Sequence, residues 1–323
     1  MHIPDAMITG AICPVTAALA AGLAGAAVFT AVKGKEETRP VSFAAVTALI
    51  FVLQMLNYPV SAATSGHLIG GVLAATLLGV PLGVLSLSLV LFVQAVFFGD
   101  GGLTVLGANI LLMSGAGAGF GGLLRHVLIQ KSENPLLRNL ATAFAAWCSV
   151  VVAACLCSFF LASGSEASLS GVLWPMVKVH ALIGVGEAVL TLTMVALAKR
   201  MPKLLLPMAA ALFLTPFASG YPDGLEFVAE NFHLPEGISL FTAPMPDYTL
   251  PFPLLPEALS GMAAGLAGIL ICQILAAALA RSMGQKGVAH LKDLSSKKTP
   301  LLFKRHLFFC LITVNSEWCR WPV

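Results

Sequence analysis

The chain opens Met1-His2-Ile3-Pro4-Asp5, so an α-amine stands one residue before an imidazole. The bulk of His2 predicts that Met1 is retained. The Met1 amine, the His2 backbone nitrogen and the His2 imidazole can then close fused chelate rings on one ion. Removing the amide proton requires a strongly polarising late transition metal. Ni(II) and Cu(II) favour the square-planar, nitrogen-rich geometry that results. Pro4 has no N–H and stiffens the exit from such a site. A fourth ligand is needed, and His67 in Ser65-Gly66-His67-Leu68 is the candidate. Ile3 and Leu68 would help to wall the site from water. The plainer alternative is that His2 is an ordinary exposed terminal residue and His67 a helix cap.

Other polar groups interrupt apolar sequence. Gln94, Asp100 and Asn109 flank the hairpin Gln94-Ala-Val-Phe-Phe-Gly-Asp-Gly-Gly. His180 and Glu187 are seven residues apart and so share one helix face. An ionisable group within a membrane span costs about 2.5–3.5 kcal/mol on insertion scales and normally faces the bundle interior. These five are expected either to orient His67 or to form a structural hydrogen-bond network. Arg125 and His126 fall at the opposite end and are not ligand candidates. Much familiar chemistry is missing: there is no G-x-x-x-x-G-K-S/T, no H-E-x-x-H, no G-x-S-x-G and no dinucleotide fingerprint. ATP hydrolysis by a P-loop is therefore excluded from this chain. The run Ser114-Gly-Ala-Gly-Ala-Gly-Phe-Gly-Gly122 predicts close helix–helix contact rather than a phosphate cradle. Seven cysteines, five of them in apolar stretches, suggest packed small hydrophobes rather than a disulfide framework.

The elements that must hold these groups follow from composition. Of 323 residues, 58% are apolar and 10% charged, against about a quarter charged in soluble domains. The mean hydropathy is +0.91. A soluble enzyme, a disordered chain and a nucleic-acid binder are excluded. The expected fold is an all-α, polytopic membrane helix bundle. Nine apolar segments can be drawn, at roughly 8–32, 41–57, 67–80, 82–98, 104–124, 139–162, 172–198, 204–219 and 257–280. The third is short, glycine-rich and ends at Pro81, which predicts a helix starting inside a cavity. Basic residues gather at alternate joints: Lys33, Lys35 and Arg39; Arg125, Lys131 and Arg138; Lys199, Arg200 and Lys203; Arg281 and Lys286. The joints between them hold no Lys or Arg, and Lys178 can snorkel. The positive-inside rule then puts the N-terminus outside and the C-terminus in the cytoplasm, with His2 and His67 on the outer side. The first residues lack the features of a signal peptide.

Residues 1–200 read as one metal-binding seven-segment unit, and 201–283 as a helical hairpin around an outer loop. That loop carries Asp223, Glu226, Glu230, Glu236, Asp247 and Glu257 and no basic residue. It is either a vestibule that concentrates cations or a solvated acidic loop. The tail 284–323 is basic and polar, is read as cytoplasmic, and has no functional assignment.

The opening Met-His-Ile-Pro-Asp, the stretch Ser65-Gly-His-Leu-Ile-Gly-Gly71, the run Gln94 to Asn109 and His180-Ala-Leu-Ile-Gly-Val-Gly-Glu187-Ala resemble the cobalt/nickel substrate-binding components of energy-coupling factor transporters. Tyr221-Pro-Asp-Gly-Leu-Glu226 and the closing hairpin resemble the small accessory component of the same system, fused to the first. The resemblance implies that this chain captures Ni2+ or Co2+ as transported substrate, with no organic cofactor. A transmembrane coupling component and two ABC ATPase subunits would drive import across the inner (plasma) membrane. It implies Met1, His2 and His67 as the ligands. The intact start leans toward nickel over cobalt. Small residues from Ala20 to Ala27 would let the coupling protein approach. The alternatives are a self-sufficient proton-coupled transporter using His180 and Glu187, and a membrane sensor without transport.

Overall fold

The computed structural model describes residues 1–34, 40–61, 63–130, 132–201, 204–232, 234, 237, 240–251 and 255–296, with side chains to residue 284. Several sequence markers lie outside the described residues: Lys35, Arg39, Lys131, Lys203, Glu236 and the tail from 297. The Lys286 side chain does too.

The chain is mostly helical: α1 Ile12–Lys33, α2 Pro40–Gln54, α3 Gly71–Leu78, α4 Val80–Phe98, α5 Leu106–Ile129, α6 Pro135–Gly164, α7 Leu169–Arg200, α8 Leu205–Phe217, α9 Gly224–Asn231 and α10 Glu257–Ser296. Six of these (α1, α4, α5, α6, α7 and the Glu257–Gly284 part of α10) are long and apolar enough to cross a membrane. The segments at 41–57 and 204–219 form shorter apolar helices. The third segment is a helix of eight residues that begins after Gly70 at φ +76°, so it starts inside the bundle, as its glycines and Pro81 lead one to expect. Bulky apolar side chains such as Phe29, Trp174, Phe213 and Ile274 point outward. That is the arrangement lipid favours, because backbone polar groups are satisfied within helices and apolar side chains face hydrocarbon.

The all-α expectation needs one correction. Tyr58–Ser61 (β1) and Thr64–Gly66 (β2) form an antiparallel ribbon. His67 follows this ribbon, four residues ahead of α3, and so is not a helix cap. The ribbon is secured by Tyr58, whose hydroxyl donates to the Ile183 carbonyl at 3.0 Å. A two-stranded ribbon is marginal by itself, so its partners decide that it forms.

Glycine sets the spacing. A β-carbon added at Gly71 would fall 2.2 Å from the Gly117 carbonyl carbon, and one at Gly107 would fall 2.4 Å from Ala17 Cα. Backbones therefore touch between α3 and α5 and between α1 and α5, the close contact expected of the small-residue run. Within α5, Ile110–Phe120 is wound as a π-helix, as is Gln94–Phe98 at the end of α4. Such wide turns tend to occur at functional sites, and this one precedes the loop that meets the N-terminus. The hydrophobic core joins both sections of the chain: Phe51, Leu68 and Met113 share one cluster with Met208, Leu225, Ala264 and Cys272.

Candidate metal site

The N-terminus threads into the bundle. Met1 is 3% exposed and Ile3 fully buried. Asn109 grips Ile3 from both sides: its Oδ1 accepts from Ile3 N–H and its Nδ2 donates to the Ile3 carbonyl, each at 2.9 Å. The same carbonyl accepts from Gly102 N–H at 2.9 Å. Asp5 Oδ1 accepts from the Thr104 amide at 2.8 Å and from its hydroxyl at 2.5 Å. A β-carbon at Gly102 would meet the Asp5 nitrogen at 2.3 Å, so glycine lets the two segments lie together. These bonds run through Ile3 and Asp5 and bypass the backbone nitrogen of His2.

At the end of this thread the Met1 nitrogen lies 2.6 Å from His67 Nε2. His67 Nδ1 donates to the Leu68 carbonyl at 3.2 Å. That fixes the tautomer and leaves the Nε2 lone pair facing the amine. With Nδ1 a donor and Nε2 an acceptor, the ring is neutral in this arrangement. His67 is thus a neutral nitrogen donor. The His2 ring stacks on the His67 ring at 5.2 Å between centroids. Burial lowers the His2 imidazole, against the opposing pull of Asp100. His2 Nε2 lies 3.2 Å from Gln94 Oε1, and Nδ1 lies 3.1 Å from Asp100 Oδ1. A neutral ring donates to only one of them. With Nε2–H given to Gln94, the Nδ1 lone pair faces a carboxylate, an opposition that a cation relieves. Tyr248 holds both neighbours, donating to Asp100 Oδ2 at 2.5 Å and accepting from Gln94 Nε2 at 3.1 Å.

The five accompanying groups divide. Gln94 and Asp100 touch His2, and Asn109 seats Ile3 beside it. Glu187 touches neither histidine; its carboxylate accepts from Ile69 N–H at 2.6 Å and Gly70 N–H at 2.9 Å. It therefore fixes the backbone just after His67 rather than the imidazole itself. His180 also makes no bond to His67. Its Nδ1 donates to the Met176 carbonyl at 2.8 Å, and its Nε2 has no partner among the described residues. It lines a small cavity with Met1, His67 and Asp223. His180 and Glu187 thus make separate sets of bonds, although they share one buried face of α7.

One residue in contact with the terminus escaped the sequence reading. Asp223, which stood there only as one acid of an outer loop, sets its Oδ2 2.5 Å from the Met1 amine and 3.7 Å from His67 Nε2. Burial alone would raise its carboxyl. The charge and hydrogen bond of the terminal ammonium, with His67 and the Glu226 amide, together outweigh this and hold it well below the ordinary carboxylate range. Among the described residues, no three His, Cys, Asp or Glu side chains form a ready metal cluster. An ion held here needs the backbone and the terminal amine.

Comparison with known proteins decides the family. Residues 2–204 match the model of the cobalt uptake substrate-specific transmembrane region. The chain belongs to that family. Residues 200–284 match the PDGLE domain, whose five letters stand here as Pro222-Asp223-Gly224-Leu225-Glu226. The NikMN protein of Archaeoglobus fulgidus is 32% identical over 307 residues, covering 87% of this chain and 98% of that one. The fused nickel transport protein NikMN of Rhodobacter capsulatus is 37% identical over 123 residues, covering 36% and 34%. A crystal structure of a transition metal transporter aligns with a TM-score of 0.55 at 27% identity, covering 65% of this chain and 98% of that one. Membership bears out the resemblance drawn from the motifs, and with it the reading of a multi-pass membrane protein of the fused nickel/cobalt transport type.

Proposed function

We propose that this chain is the substrate-capture membrane subunit of an ATP-driven importer of the energy-coupling factor type. Its substrate is a divalent transition metal ion, nickel in preference to cobalt. The observation that carries this reading is the burial of the free amino terminus with its nitrogen 2.6 Å from His67 Nε2. A chain end is costly to bury, because an ionised amine must find compensation. A buried end beside two imidazoles brings nitrogen donors together in one place. The Met1 amine, the His2 amide nitrogen, the His2 imidazole and His67 Nε2 supply four nitrogens, which suits a square-planar late transition metal. Gln94 and Asp100 steer the His2 ring, Asn109 holds the strand that carries it, and Glu187 holds the backbone that carries His67.

The rest of the reading goes with this one. Nine segments alternate across the inner membrane, with the terminus outside and the C-terminus in the cytoplasm. Residues 1–200 capture the ion, 201–283 act as the accessory component, and the tail beyond remains on the cytoplasmic side. A coupling component and two ABC ATPase subunits supply the drive. The outward small-residue face of α1, where Gly22 and Gly25 meet nothing within 4 Å, supports close approach of the coupling component. Reconstituted alone in liposomes under a proton gradient, the chain accumulates no nickel. With its coupling component and ATPases it accumulates nickel on ATP addition. Gradient-driven uptake by the chain alone would overturn the proposal in favour of a secondary transporter.

Acid weakens binding. An entering ion must displace the protons carried by the nitrogens it takes, the His2 amide among them. Protons compete with the ion for those nitrogens, and affinity falls as pH drops from 8 to 5. Each displaced proton is worth about tenfold per pH unit. Calorimetric titration in buffers of different ionisation heat reads both the slope and the proton count. A flat affinity over this range contradicts nitrogen ligation.

A further inference from the structure

We infer that the second section of the chain completes the ion site by contributing Asp223 as the counter-charge of the bound ion. The inference rests on the capture reading above and gives the PDGLE segment a task within it. The placement of Asp223 is over-determined. Its Oδ2 meets the Met1 amine, while Oδ1 accepts from the Leu225 and Glu226 amides at 2.7 and 2.9 Å. Glu226 Oε2 accepts in return from the Asp223 N–H at 2.8 Å, closing a capping box on α9. The turn is also tied to the ribbon that presents His67. Ser65 N–H donates to the Pro222 carbonyl at 2.8 Å and Ser65 Oγ to the Tyr221 carbonyl at 2.7 Å. The carboxylate and the imidazole are therefore held in one frame although they come from different sections.

Charge explains why a carboxylate belongs there. In the empty site the ammonium carries +1 and Asp223 carries −1. When a divalent ion enters, the ammonium loses a proton and so does the His2 amide. The ion and the amide nitrogen together then carry +1, in the same buried place. Asp223 is the carboxylate beside the amine in both states, while Asp100 faces the His2 ring from the other side, so the net positive charge at the amine end has a partner before and after loading. A neutral group at 223 would leave the amine end of the site without a carboxylate, with Asp100 alone facing the His2 ring.

Asn is as good a helix N-cap as Asp, so Asp223→Asn removes the charge while keeping α9 capped. Glu226→Gln removes the neighbouring charge while its amide oxygen can still close the capping box, and it does not touch the amine. The test uses the purified full-length chain and titrates Ni2+. Asp223→Asn is expected to weaken binding by about 10–100-fold, the range for groups that tune a metal site without ligating it, while Glu226→Gln stays within about threefold of wild type. Equal affinity in Asp223→Asn and wild type overturns the inference. So does an equal loss in the two variants, which would make the acidity of the turn in general, not the carboxylate on the amine, responsible. Failure of the capture reading is distinguishable: there His2→Ala also leaves nickel affinity unchanged, whereas failure of this inference alone leaves His2→Ala defective and Asp223→Asn intact.

Discussion

A chain that carries ten additional residues ahead of Met1 loses high-affinity nickel binding. The extension converts the terminal amine into an amide. It removes one of the four nitrogens proposed as ligands and the ammonium that pairs with Asp223 at 2.5 Å. There is also no room for it: Met1 is 3% exposed, and its nitrogen is already in contact with both His67 and Asp223. The tethered segment must leave the bundle, and the His2 amide and imidazole leave with it. The expected loss exceeds the about 10–100-fold that follows from disturbing an outer hydrogen bond, since two or three ligands go together. Equilibrium titration of the extended and native chains, with elemental analysis of each after dialysis, measures it. Acetylation of the amine gives the same result with far less added bulk. Retained affinity in both would place the ion elsewhere.

The pairing of His2 with His67 is legible in the sequence because each lies in a short, chemically unusual setting: a terminal amine beside an imidazole, and an imidazole between glycine and a glycine-rich helix start. Gln94, Asp100 and Asn109 are legible because a polar group is conspicuous in apolar sequence. What each touches is not. Asn109 clamps the Ile3 backbone rather than an imidazole, and the π-helical turn at Gln94–Phe98 that leads into the Asp100 loop has no periodic signature. Glu187 and His180 share a helix face as the spacing requires, yet their partners belong to the Ile69–Gly70 backbone and to the Met176 carbonyl. Asp223 was hidden for a different reason. In an acidic outer loop one carboxylate resembles another. Only the docking of the Pro222 turn on Ser65 singles it out, a contact spanning more than 150 residues of sequence. The ribbon was missed because three or four residues of strand carry too little alternation to register, and its stability comes from those same tertiary partners.

Replacing His67 by Ala lowers nickel affinity by at least about 100-fold, whereas His126→Ala leaves it unchanged. The two residues share a side chain and differ in place. His67 is buried, held in the Nδ1–H tautomer by Leu68, and offers Nε2 to the terminus. His126 sits in the last turns of α5, at the opposite end of that helix from Asn109, where its Nε2 bonds Gln130. Truncating His67 also removes the acceptor of the Met1 amine, which then has only Asp223, so the terminus loosens as well as losing a ligand. His67→Gln separates the two effects. Its amide oxygen can still accept from the amine but is a poor ligand for a late transition metal. The native-like fold should persist in His67→Gln while nickel affinity stays low. Titration of the three variants, with thermal unfolding of the metal-free and loaded forms, reads binding and stability apart. Only the His126 variant should gain stability on loading, by RT ln(1 + [L]/Kd) as for any ligand of the native state. Equal affinities for His67→Ala and His126→Ala would mean that the fourth nitrogen comes from elsewhere.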